Sequence, residues 1–275
     1  MPCDNPFLRY QNLDIQRNPL SIVEYDTNKM SHEEDMSDNL TLMLSAPGRE
    51  FVVPYIEAAL PGVRIAGIGA ERADVAIMLS GTEIYAMPDG ADLAGIDAAV
   101  DGRLPLARAE VDYAAACRRL GLRPLILRCA NTVGTGMTGY PRRLAESIAK
   151  GFFFHFPDND ARISAVHAAD VASLVADIVE GRAVPQRDIY IVTDGDNPTL
   201  HDFADALAYR MNDKRISNLS TWGQRMAGRI FYGTAYRRYT TTETYEGAAA
   251  FRELGFTPTP VVRYLREHVY DENSL

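Results

Sequence analysis

From residue 40 onward the apolar and polar positions alternate between short apolar runs and helical spacing. Residues 40–44 (LTLML) predict a strand, SAPGR a turn, and residues 51–60 a helix. VRIAGI and VAIML both read as strands, yet only GAERAD lies between them, whereas a parallel crossover needs a dozen or more residues. A regular strand–helix–strand repeat is therefore not expected there. Leu106, Ala109, Tyr113, Cys117 and Leu120 share one helical face, followed by Gly121 and the apolar run PLILRCA. Val171, Leu174, Val175, Ile178 and Val179 form a second apolar helix face, and DIYIV a further strand. Thr199 and Asp202 make a capping pattern ahead of a third helix through Leu200, Phe203, Ala204, Leu207 and Met211.

This order predicts an α/β fold: a Rossmann-like doubly wound sheet, irregular or shortened in its N-terminal half, with a smaller, mostly helical C-terminal substrate lobe. Residues 1–38 form a polar arm ending in SHEEDMSD, with SIVEY as a candidate strand. Residues 39–135 carry the Rossmann-like region, and 136–275 a mixed region that completes the sheet and builds the lobe.

Composition narrows the function classes. With 275 residues, 47% of them hydrophobic, the chain can bury a full core. A formal net charge of −9 argues against nucleic-acid or anionic-membrane partners, because phosphates are repelled on average. No apolar run reaches membrane-spanning length and the N-terminus has no secretory pattern, so a cytoplasmic location is expected. Cys117 and Cys129 read as core thiols, and the five histidines show no ligand spacing, so no metal is expected.

Five segments, in order, carry a family resemblance. ADVAIMLSGTEIYA is similar to (I/L)SSxEVYG, PLILRCANTVGTG to ILRPxNVYGPG, and ARISAVHAADVA to RDYIHVxDVA. IYIVTDGDNPTLHDFADAL is similar to YNVGDGxxxTxxE, and FRELGFTPT to LGWxPx. Together they resemble the extended short-chain dehydrogenases, the NAD-dependent epimerase/dehydratase family that acts on nucleotide sugars. The resemblance implies an NAD or NADP cofactor, a nucleotide-sugar-like ligand and a homodimer. It assigns Asn131 and Arg162 to the diphosphate, with Gly134 and Gly136 in a substrate-side loop. Arg128 and Asn131 also close a buried strand, which puts polar side chains at the sheet's carboxyl edge. His167 reads as a helix-start hydrogen bond and Asp170 as an N-cap.

The chain departs from the family where chemistry is done. A catalytic tyrosine, made acidic by a lysine four residues later, is expected beside a serine or threonine hydroxyl. Alignment puts Arg108 or Glu110 at the lysine and Leu104 or Leu106 at the tyrosine, and the hydroxyl position falls on Gly81. Ser80 and Thr82 flank that position and Glu83 matches a general base of some sugar dehydratases, which makes these three the candidate catalytic residues. Tyr25 and Lys29 are the chain's one Tyr-x-x-x-Lys. The glycine-rich dinucleotide turn reduces to LSAPGREFVV, leaving Gly48, with Ser80 and Asn131, as candidate cofactor contacts. Three functions follow: a non-catalytic relative that keeps the ligand pocket, an enzyme working through substitute residues, or an oligomeric scaffold.

Overall fold

A computed structural model describes residues 40–85, 91–156, 159–211, 216–218, 220 and 240–267. The N-terminal arm with SIVEY, the Tyr25/Lys29 pair, Cys3, His32 and His268 lie outside the described residues.

The main sheet has five parallel strands: β1 (Thr41–Ser45), β2 (Arg64–Ala66), β3 (Val75–Gly81), β5 (Leu125–Cys129) and β8 (Ile189–Val192), in the order β2-β1-β3-β5-β8. Small paired strands complete the set, with β4 (Ala91–Ala94) on β9 (Glu243–Tyr245) and β6 (Asn131–Val133) on β7 (Ala165–His167). The helices among the described residues are α1 (Val53–Ala59), α2 (Pro105–Leu120), α3 (Gly139–Ala149), α4 (Ala168–Val179), α5 (Leu200–Arg210), α6 (Ala248–Leu254) and α7 (Val261–Glu267). None is long and apolar enough to cross a membrane.

The short link between β2 and β3 is resolved by where those strands sit. They are not neighbours: both pair with β1, one on each side. Residues 67–74 must cross two strand spacings, about 10 Å, and run back along a three-residue strand. Eight extended residues reach roughly 26 Å, so no crossover helix is required. Arg119, in the last turn of α2, clamps this link by donating to the carbonyls of Ile68 (3.0 Å) and Ala70 (3.1 Å). Asp74 ties its far end to β1, accepting from the Thr41 amide at 2.8 Å.

One face of the sheet packs Leu42, Leu44, Ile77, Leu79, Leu125 and Leu127 against α1, α4 and α6. The opposite face packs Met43, Ala76, Met78 and Ile126 against Tyr113, Ala116 and Cys117 of α2. Each strand therefore splits its side chains between two apolar layers, as its continuous apolar run predicts. A separate core joins α3, α5 and α7 around Leu144, Phe203, Leu207 and Val261, and forms the C-terminal lobe.

Thr199 caps α5 as its spacing predicts, accepting the Asp202 amide at 3.1 Å. The start of α4 differs from the expectation: His167 and not Asp170 is the N-cap, its Nδ1 accepting from the Ala169 amide, while Asp170 stands in the first turn and accepts from the Thr259 amide. Cys117 and Cys129 are buried free thiols, and burial pushes Cys129 up to about 12.

Candidate ligand site

A cavity of about 450 Å³ opens at the carboxyl ends of β1, β3 and β5, under the start of α3 and beside β9. Gly48, Arg49, Thr82, Glu83, Asn131, Arg143, Glu243 and Tyr245 are among its lining residues. Gly48 and Arg49 follow β1, Thr82 and Glu83 follow β3, and Asn131 stands just past β5. The sheet's register thus assembles residues as far apart in the chain as Gly48 and Asn131 on one edge.

Arg49 and Glu83 meet in a two-pronged ion pair, with Nη1 to Oε1 at 2.9 Å and Nη2 to Oε2 at 2.8 Å. Nη2 also donates to the Cys129 carbonyl at 3.1 Å, at the end of β5. The Arg49 side chain is 7% exposed and that of Glu83 60% exposed, so the carboxylate faces the opening and the guanidinium lies beneath it. Burial alone would raise the Glu83 carboxyl, but the charge and hydrogen bonds of Arg49 hold it below its usual range. Burial would likewise lower Arg49, and Glu83 reverses the direction.

Behind the cavity lies a second polar group. Glu110 of α2 accepts from Ser80 Oγ at 2.6 Å and from Arg128 Nε at 3.0 Å and Nη2 at 2.7 Å. Arg128 also donates to the Tyr85 hydroxyl at 3.0 Å. Burial alone would lower Arg128, but the bonds and charge of Glu110 raise it. Glu110 and Arg128 are 2% and 3% exposed, so this pair is closed to solvent.

The candidate residues therefore separate. Glu83, Thr82, Gly48 and Asn131 line the cavity. Ser80 is fully buried and turned to Glu110, away from the cavity lining. Arg128, read from the sequence as an edge residue, points into the sheet–α2 layer instead, because Glu110 supplies the buried countercharge it needs. Arg162 does not join Asn131 in the lining: its guanidinium donates to the Asn197 carbonyl at 3.0 Å, while the Asn131 amide donates to Ser164. Gly134 and Gly136 stand behind the lining, where a Cβ on Gly134 would come within 2.8 Å of Ala168 Cβ. Their loop is fixed by Tyr55, whose hydroxyl accepts from the Thr135 amide, and by Thr138, which donates to the Gly48 carbonyl. Arg49, Arg143, Glu243 and Tyr245 were not found from the sequence. The arginine pair in PRRLAESIAK is the one visible signal, since helical spacing turns Pro141 and Leu144 inward and leaves Arg142 and Arg143 exposed.

No family model and no curated protein matches the sequence. Solved structures do. UDP-N-acetylglucosamine 4-epimerase from Bacillus cereus is similar over 83% of this chain and 100% of its own, with 11% identity and a TM-score of 0.54. A human epimerase family protein solved with NADPH is similar over 83% and 98%, with 12% identity and a TM-score of 0.53. A conserved protein of unknown function from Silicibacter pomeroyi DSS is similar over 82% and 96%, with 18% identity and a TM-score of 0.52. This chain shares the α/β, Rossmann-like fold of these structures.

On α2, Glu110 is the inward residue, and Arg108 lies outside, 4.0 Å from Asp112. Leu106, one turn before Glu110, is an apolar side chain packed against the core.

The first turn after β1 does not fit a dinucleotide. Pyrophosphate binding needs backbone N–H groups left open at a helix start. Here the Gly48 amide donates to the Glu50 carboxylate at 3.1 Å, and the Arg49 amide to Ala46. A single 3-10 turn, Glu50–Val52, precedes the seven-residue α1, so the acidic Glu50 sits where a phosphate would approach.

Proposed function

We propose that this chain is a divergent relative of the nucleotide-sugar epimerases that binds a nucleotide-sugar-like ligand in the cavity and does not catalyse hydride transfer. The observation that carries the reading is Arg143. It is an exposed guanidinium in the cavity lining, and the neighbouring Glu146 takes its hydrogen bond from Arg142 while feeling the charge of Arg143 only at a distance. A planar fork of donors suits phosphate oxygens. The inner part of the cavity offers Glu83 and Asn131 to hydroxyl groups, so the ligand's phosphate lies at Arg143 and its sugar further in. Leu106 and Glu110 supply no tyrosine–lysine chemistry. Glu83 as a substitute base is disfavoured because the charge of Arg49 and its two hydrogen bonds lower the carboxylate's affinity for a proton.

Calorimetric titration with UDP and dTDP tests the proposal. Binding is expected for the wild type, weakened roughly tenfold to a hundredfold in Arg143→Ala, since a charge-assisted contact contributes about 1.5–3 kcal/mol. Arg162→Ala should bind as the wild type does, because its guanidinium is already engaged with Asn197. Failure of both nucleotides at millimolar concentration would leave the oligomeric scaffold as the better reading. Nicotinamide absorbance, followed with a panel of nucleotide sugars, should show no turnover.

A further inference from the structure

Open α/β sheets bind ligands in the crevice at their carboxyl edge where the strand order reverses. Here the chain leaves β1 toward β2 on one side and returns to β3 on the other, so the reversal lies between β1 and β3. Arg49 comes from the loop after β1, Glu83 from the turn after β3, and the Cys129 carbonyl from the end of β5. Arg49 donates to the other two across that crevice.

Gly81 shows that the crevice is built around this pair. A Cβ on Gly81 would lie 2.0 Å from Glu83 Oε2 and 2.2 Å from Arg49 Nη2. Its backbone is extended, with φ of −142°, a conformation open to any residue. Glycine there leaves the space that the two charged side-chain ends occupy, and a Cβ would have to displace them. The hydroxyl-bearing side chain that the family resemblance places at this position would expel both charged groups.

We infer that the Arg49–Glu83 ion pair, in the space Gly81 leaves, fills the crevice a dinucleotide would enter, so the chain works without NAD or NADP. The inference is independent of which ligand the outer cavity accepts. Arg49 bridges the three strand ends from within, as an internal substitute for a bound cofactor, and leaves the outer side of Glu83 as part of the cavity wall.

A thermal-melt cycle tests it. Gly81→Ala should lower the melting temperature by roughly 3–12 °C, the loss of charged hydrogen bonds in a domain of this size. The same substitution made in the Arg49→Ala/Glu83→Ala background should change it little, because the added methyl then has room. Glu83→Ala alone should be worse than Arg49→Ala alone, since it strands the buried partner. Wild-type protein should show no melting shift with millimolar NAD or NADP. An equal effect of Gly81→Ala in both backgrounds would overturn the inference, and so would a cofactor-dependent rise of the wild type.

Discussion

Glu110→Ala is expected to destabilise the protein by about 3–5 kcal/mol, the usual consequence of removing one partner from a buried ion pair. Arg128 would remain 3% exposed with only the Tyr85 hydroxyl as acceptor, and Ser80 would lose its 2.6 Å bond. Domains of this kind are stable by about 5–15 kcal/mol, so the variant should lose a large share of its margin. Replacing both partners, as Glu110→Leu with Arg128→Met, should recover most of the loss, because two apolar groups of similar volume leave no stranded charge. Urea unfolding of the three proteins measures this. A loss below about 1 kcal/mol for Glu110→Ala would mean that water reaches Arg128 and that the network is open.

Asp194 should make stability fall as pH rises from about 4 to about 6. The residue follows β8, is 9% exposed, and accepts the amides of Val261 at 2.8 Å and Asp196 at 3.1 Å. Burial pushes its carboxyl up to about 6, although the backbone hydrogen bonds oppose the shift. A carboxyl whose folded value is raised holds its proton more tightly in the native state than in the unfolded chain. Its stabilising contribution is complete below the unfolded value, near 3.8, and lost as pH climbs through about 6. A shift of roughly two units corresponds to about 3 kcal/mol. Asp194→Asn removes the titration while keeping an acceptor for the first residue of α7. The stability of this variant relative to wild type should therefore improve by up to about 3 kcal/mol between pH 4 and pH 7. Chemical denaturation at fixed pH values reads it, and a difference independent of pH would show that Asp194 is ionised throughout.

These two sites differ in how far the sequence foretold them. The family resemblance put Arg108 or Glu110 at the lysine position, and the apolar spacing of Leu106, Tyr113 and Cys117 already turns Glu110 inward and Arg108 outward; what the helix did not indicate is which partner would hold the charge of Glu110. The register that sets Ser80 opposite Arg128 decides that, because it presents a buried hydroxyl and a buried cation to one point on α2. Asp194 lies in TDGDNP, which reads as a turn, and only the docking of α7 gives its carboxylate a partner and removes its water.

The sequence by itself determined the elements: the helical face from Leu106 to Leu120, the strand in PLILRCA, the cap at Thr199, and the irregular stretch around GAERAD. Each depends on spacing within a few residues, where the backbone's own periods of two and 3.6 decide which side chains share a face. Only the tertiary structure decided that β2 and β3 flank β1, that Arg49 closes on Glu83 in the space beside Gly81, and that Arg143 and not Arg162 lines the cavity. Those outcomes join residues tens of positions apart. A charge at such a position can face solvent or a partner equally well until strand order and burial fix its surroundings, and a buried charge then takes whichever countercharge the register brings within reach.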